Sequence, residues 1–149
     1  MNDSFSDIRS SVASLCEEFN LEYWRELDEK RAYPSEFVAA MTKSGFLGAL
    51  IPEEYGGSGL GISAAAAILE EVHISGGNAA ACHAQMYIMG TVLRHGSNEQ
   101  KKKYLPEIAS GNIRLQAFGV TEPSSGTDTA SLTTTAKLEG KNYIVNGQK

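Results

Sequence analysis

Apolar residues at Ile8, Val12, Leu15 and Phe19 are spaced four, three and four apart, which places them on one stripe of a helix. The opposite face carries Asp7, Arg9, Glu17 and Glu18. Tyr23, Trp24 and Leu27 either extend the stripe, with Trp24 as packing, or open a looser segment, and the charged run from Glu22 to Arg31 reads as a solvated stretch. Pro34 suits the first position of a second helix, where a missing N–H costs nothing, and that helix turns Phe37, Val38 and Met41 inward before Gly45 closes it as a left-handed cap. Phe46 then packs back on Met41, and Leu47 to Ile51 is a buried connection.

A third helix, capped by Ser63, carries Ala64, Ala67, Ile68 and Val72 inward, and its four consecutive alanines allow a neighbouring helix to approach closely. Gly76-Gly77-Asn78 breaks it. The fourth helix, from about Ala79 to Leu93, is apolar nearly all round and belongs at the centre of the core. Ser97-Asn98-Glu99-Gln100 forms a capping box that opens a fifth helix through Tyr104, Leu105 and Ile108 to Gly111, with Pro106 predicting a kink or an early end. After Gly111 the period falls to two. Ile113, Leu115, Ala117 and Gly119 alternate with Arg114, Gln116 and Phe118, and Leu132–Leu138 and Asn142–Val145 have strand composition around a Glu139-Gly140-Lys141-Asn142 turn. The fold class is α+β: a helical bundle domain over 1–112, then the first strands of a β domain over 113–149. Two or three strands make no stable sheet by themselves, so the β part reads as unfinished.

Composition narrows the chemistry. A net charge of −5, with Lys101 to Lys103 as the one dense basic run, argues against a nucleic-acid partner. Cys16 and Cys82 are far apart, without the spacing of a disulfide framework or a zinc site, which fits a reduced cytoplasmic setting. His73, His83 and His95 lack a carboxylate or cysteine at ligand spacing, so no metal is expected. Met1 to Asp7 lacks the basic head and apolar core of a signal peptide, and no apolar run reaches membrane-spanning length.

Two loops carry candidate chemistry. Glu53 to Gly61 has four glycines among its last six residues, but neither the P-loop lysine nor the dinucleotide-binding spacing, and reads as a flexible surface turn. Phe118-Gly-Val-Thr-Glu-Pro-Ser-Ser-Gly-Thr-Asp128 leads an apolar run into a rigid polar turn. Nine of the fifteen positions from Thr121 to Thr135 bear a hydroxyl, so the segment is either a shaped loop aimed at a polar ligand or a solvated linker. Met86 and Met89 serve either core packing or an apolar ligand pocket.

Three segments together resemble the acyl-CoA dehydrogenase flavoprotein family: Gly45-Phe-Leu-Gly…Pro52-Glu-Glu-Tyr-Gly-Gly-Ser-Gly-Leu-Gly61, Gly96-Ser-Asn-Glu-Gln-Lys-Lys-Lys-Tyr-Leu-Pro-Glu-Ile-Ala-Ser-Gly111, and Val120-Thr-Glu-Pro-Ser-Ser-Gly-Thr-Asp128. They span essentially the whole chain in the right order. Where the family usually has Ala-Gly-Ser-Asp, this chain has Ser125-Gly126-Thr127-Asp128, and Thr127 keeps the hydroxyl. The resemblance implies a helical domain followed by a β-barrel-like middle domain that binds FAD, with a C-terminal helical domain beyond. It implies FAD contacts at Phe118, Val120, Thr121, Gly126 and Thr127, with Thr121 at the pyrimidine end of the ring and Gly126 and Thr127 near the phosphates. Substrate contacts fall to Thr127, and to Met86 and Met89 together with Ala84 as candidates for the pocket floor. Glu122 and Asp128 are read as loop organisers.

The implied reaction is oxidation of an acyl-CoA thioester to the 2,3-enoyl-CoA, with an electron-transfer flavoprotein as acceptor and a dimer or tetramer as the complete protein. The Glu base of the family lies in its C-terminal domain, so no residue here is assigned a catalytic role, and the chain alone is expected to be inactive and to bind FAD weakly or not at all. A flavin monooxygenase or oxidase of the same fold, and a short non-catalytic helical interaction module, are the alternatives.

Overall fold

The computed structural model describes residues 5–149; residues 1–4, part of the stretch read for a signal peptide, lie outside the described residues. The chain folds as two compact units, Met1–Ala117 and Phe118–Lys149. Among the described residues, the first contains six α-helices: α1 (Ser6–Cys16), α2 (Leu21–Lys30), α3 (Ser35–Lys43), α4 (Ile62–Ile74), α5 (Ala80–His95) and α6 (Asn98–Ala109).

α1 lies against α4, whose Ala64, Ala65 and Ala67 are all buried. Arg9 of α1 clamps the pair by reaching Glu70 and, at 3.4 Å, Glu71 of α4. The main core joins Val12 and Cys16 of α1, Phe37, Val38 and Met41 of α3, Ile68 and Val72 of α4, and Cys82 and Met86 of α5. A second cluster gathers Ile51, Met89, Leu105 and Ile108 where α5 meets α6. Both cysteines are free and buried, and burial pushes the Cys82 thiol up to about 12, so it stays protonated and unreactive.

Several expectations need correction. The stretch from Glu22 to Arg31 is exposed as expected, but it is a helix with no buried residue. Asn20 caps it by accepting the Tyr23 N–H at 3.1 Å, and ion pairs Glu22–Arg25 and Glu26–Lys30 brace its outer face. Pro34 stands at the N-cap of α3 rather than inside it. Gly61, not Ser63, is the N-cap of α4, and no side chain caps that end. α5 is not buried all round, since Tyr87 is 41% exposed. Pro106 neither ends nor shortens α6, which runs on to Ala109. Proline there removes only the bond to the Lys102 carbonyl, on an exposed residue that water reaches.

The glycine-rich loop is pinned, not flexible. Ser58, Gly59 and Leu60 donate their N–H groups to the carbonyls of Gly48, Ile51 and Ala49 at 3.3, 2.8 and 2.7 Å. A Cβ on Gly57 would stand 2.0 Å from the Ile51 oxygen, so that position admits only glycine without rearrangement.

Residues 113–119 form no strand. Ile113 and Leu115 pack on the second cluster, while Arg114 reaches the Thr42 hydroxyl at 3.1 Å and Gln116 reaches the Ala81 carbonyl at 3.1 Å. The alternating pattern arises because both faces are anchored by side chains, without any backbone ladder.

The second unit contains one antiparallel hairpin, β1 (Thr135–Glu139) and β2 (Asn142–Asn146), paired Leu138 to Tyr143 and Ala136 to Val145. Gly140 opens its two-residue turn at φ 64°, as a type II′ turn requires of its first residue. β1 starts later than expected because the Thr133 and Thr134 N–H groups are spent on a side chain, Glu122.

Candidate functional site

Glu122 to Ser125 is a closed turn. The Glu122 N–H donates to the Ser125 carbonyl at 2.8 Å and the Ser125 N–H returns to the Glu122 carbonyl at 3.1 Å, with Pro123 and Ser124 at the corner. The Ser125 hydroxyl donates to the Asp128 carbonyl, and the Ser131 hydroxyl donates to the Asp128 carboxylate. Hydrogen bonds therefore close the loop on itself from Glu122 to Ser131, and the linker alternative does not hold.

The Glu122 side chain is turned inward and is 1% exposed. One carboxylate oxygen accepts the Thr133 N–H at 2.7 Å and the Thr133 hydroxyl at 2.9 Å, and the other accepts the Thr134 N–H at 3.0 Å and pairs with Lys149 Nζ at 3.0 Å. Hydrogen bonding from Thr134 and then the Thr133 amide, with Lys149 adding to it, holds this carboxyl far below the usual carboxylate range. Such a group is no acid or base near neutral pH. It organises the loop, as does Asp128.

With Glu122 and Ser125 buried, the opposite side of the loop is left to solvent. Phe118 is 61% exposed, and Thr121, Gly126 and Thr127 are exposed as well, with Val120 half-buried. Among the described residues, the backbone N–H groups of Thr121, Gly126 and Thr127 and the hydroxyls of both threonines donate to no protein group. The nearest carboxylates, Glu122 and Asp128, are each engaged by protein donors. The surface is rich in open donors with an aromatic ring beside them, which suits an anionic, ring-bearing ligand and fits a flavin dinucleotide.

The sequence pattern described as acyl-CoA dehydrogenase, N-terminal domain, matches residues 2–112. The chain belongs to the acyl-CoA dehydrogenase family. It is 37% identical over 143 residues to the acyl-CoA dehydrogenase FadE12 of Mycobacterium tuberculosis, covering 95% of this chain and 37% of that protein. Among solved structures, an acyl-CoA dehydrogenase from Geobacillus kaustophilus superimposes with a TM-score of 0.83 at 28% identity, over 99% of this chain and 39% of the other. An acyl-CoA dehydrogenase from Bacillus anthracis complexed with FAD gives 0.74 at 35% identity, over 99% of this chain and 27% of its own. The chain thus spans less than two-fifths of the length of these relatives.

Within the helical unit, the three candidate pocket residues part company. Ala84 lines a cleft of about 740 Å³ with Ala80, Ala81, Trp24, Leu27, Tyr33 and Gln116. Met86 lines a separate groove of about 550 Å³ beside Leu60, Ile62 and Gly90. Met89 is fully buried in the second cluster and lines neither. The cleft is shaped by a polar strap: the Tyr33 hydroxyl donates to Gln116 at 2.7 Å, and Gln116 donates to the Ala81 carbonyl at 3.1 Å. Reading the sequence missed Ala80, Ala81, Tyr33 and Gln116. Small residues at positions i, i+1 and i+4 of one helix were the available signal for the alanines; the strap spans residues 33 to 116 and left none.

Among the described residues, no three His, Cys, Asp or Glu side chains gather as a metal site, and no helix is long and apolar enough to cross a membrane.

Proposed function

We propose that this chain is the N-terminal part of an FAD-dependent acyl-CoA dehydrogenase, and that Phe118, Val120, Thr121, Gly126 and Thr127 form one wall of its flavin site. The observation that carries the reading is the loop's set of exposed donors, free of protein partners and held in shape from behind by Glu122. Bound FAD supplies the hydride acceptor for α,β-dehydrogenation of an acyl-CoA thioester, whose α-proton goes to a carboxylate base. The chain's own residues bind and orient. The Thr121 N–H and hydroxyl would hold the pyrimidine end of the ring, where reduction places negative charge, and fixed donors there would favour electron uptake. Gly126 and Thr127 would hold the phosphates, and Thr127 would also serve the substrate. None of the 149 residues is assigned as the base.

The 740 Å³ cleft is the candidate for the acyl chain, because Ala80, Ala81 and Ala84 leave room between the apolar walls of Trp24 and Leu27. Met86 and Met89 then contribute through the packing of α5. An electron-transfer flavoprotein as acceptor, a homo-oligomeric complete protein and a cytoplasmic setting complete the proposal.

Titration of the purified protein with FAD, followed by flavin fluorescence and absorbance, tests the reading. Thr121→Val is expected to weaken binding by roughly five- to tenfold, the loss of about one hydrogen bond. Equal affinity in wild type, Thr121→Val and Thr127→Ala would remove the loop from the flavin site.

A further inference from the structure

Lys149 lies in the second unit, outside the residues assigned above to the flavin wall, yet three features join it to that wall. Its Nζ is 3.0 Å from the Glu122 carboxylate and 3.0 Å from the Val120 carbonyl oxygen, to which it donates. Its aliphatic stem runs past Gly119, where a Cβ would sit 3.9 Å from the Lys149 Cβ and Cγ. Gly147 makes the approach possible: at φ 157° the chain passes Thr134 so closely that a Cβ there would stand 2.1 Å from the threonine hydroxyl oxygen.

The peptide unit between Val120 and Thr121 carries both the carbonyl that Lys149 holds and the N–H that Thr121 offers. In a planar trans peptide these two groups point in opposite directions, and no peptide bond among the described residues is cis. Drawing the Val120 carbonyl onto the ammonium therefore aims the Thr121 N–H away from Lys149, on the side where no protein acceptor meets it.

We infer that Lys149 is a positioning residue that sets the direction of the Thr121 N–H donor and locks the loop through its ion pair with Glu122. This rests on the flavin reading of the loop. Lys149 itself touches neither cofactor nor substrate in this role; it acts through one peptide plane. An Arg keeps the charge and the donor, whereas Met keeps the stem and loses both.

The test compares wild type, Lys149→Met, Lys149→Arg and, as a control on the exposed hairpin turn, Lys141→Met. FAD binding is followed by fluorescence and by the flavin absorption envelope, and amide exchange and chemical shifts of Thr121, Thr133 and Thr134 are followed by NMR. Lys149→Met is expected to weaken FAD by about tenfold, shift the flavin spectrum, move the Thr121 amide resonance and speed exchange at Thr133 and Thr134. Lys149→Arg restores most of each readout, and Lys141→Met matches wild type.

Wild-type binding, spectrum and Thr121 resonance in Lys149→Met overturn the inference. Should that variant lose the hairpin, Lys149→Gln, which keeps a donor without charge, is expected to fall between Met and wild type; a Gln variant indistinguishable from wild type again overturns it. Where the 149-residue chain, which supplies one wall of the site, takes up no FAD, the flavin readouts are taken in the complete protein. The Thr121 resonance then still decides whether Lys149 orients that peptide.

Discussion

Glu122 ties the second unit together with a charge, so its protonation state matters to folding. Its carboxyl is held far below the usual range by Thr134 and Thr133, with Lys149 as its charged partner among the described residues. The folded state therefore binds this proton less readily than the unfolded chain, and the stabilisation is present above the unfolded carboxylate pKa of about 4.3 and lost as pH falls below it. Amide exchange at Thr133 and Thr134 should accelerate when pH is lowered from about 5 toward 2, after correction for intrinsic rates. In Glu122→Gln that acid-induced loss of protection should vanish, and its persistence would show that another group is responsible. At the same scale, Gly57→Ala places a methyl 2.0 Å from the Ile51 oxygen and 2.5 Å from that of Gly48. Because the obstacles are backbone atoms that cannot rotate away, a loss of about 3 kcal/mol is expected in urea unfolding.

Elements were legible where local chemistry alone decides them. The Ser97–Gln100 capping box appears as expected, with the Gln100 N–H donating to Ser97 at 3.2 Å and the Ser97 N–H donating back to Gln100 at 2.8 Å. Ser97→Ala should cost about 1 kcal/mol in thermal or urea unfolding and fray α6 at its start. α2 was illegible to periodicity because none of its residues is fully buried, and its partly buried aromatics Tyr23 and Trp24 sit together at its first turn. They belong to an aromatic group in which Trp24 meets Phe37 edge-on at 4.9 Å and donates its indole N–H to the Phe19 carbonyl at 3.0 Å. The cap at Asn20 was the better signal. The strand expected over 113–119 failed for the opposite reason: alternation was real, but a strand needs a partner backbone, which no sequence pattern supplies.

For the molecule as a whole, the two units differ in what they bury. The helical unit buries two apolar clusters, whereas every residue of β1 and β2 is exposed, Leu138 at 61%, Tyr143 at 66% and Val145 at 64% among them. Cross-strand pairing puts Ala136, Leu138, Tyr143 and Val145 on one face, an apolar surface uncovered among the described residues. The 149-residue chain should therefore bind a hydrophobic reporter dye, and Leu138→Ser with Val145→Thr should cut that signal by roughly half while leaving helical circular dichroism unchanged. In the helical unit, Ala84→Phe should fill part of the 740 Å³ cleft. If that cleft holds the acyl chain, the variant loses affinity for bulky acyl-CoA ligands before small ones in a binding titration.

What the sequence by itself determined is the set of properties that depend on neighbours in the chain: helix stripes, the Ser97 cap, the Gly45 stop, the Gly140 turn and the motif that resembles the acyl-CoA dehydrogenases. It also singled out Phe118–Asp128, as either a shaped loop or a linker. Only the tertiary structure decided which way that loop faces. Its inner side is chosen by a buried carboxylate that draws donors from residues 133, 134 and 149, and its outer side keeps the donors left over. Burying a carboxylate is costly unless partners meet it from several directions at once. Those partners come together only when the chain has folded.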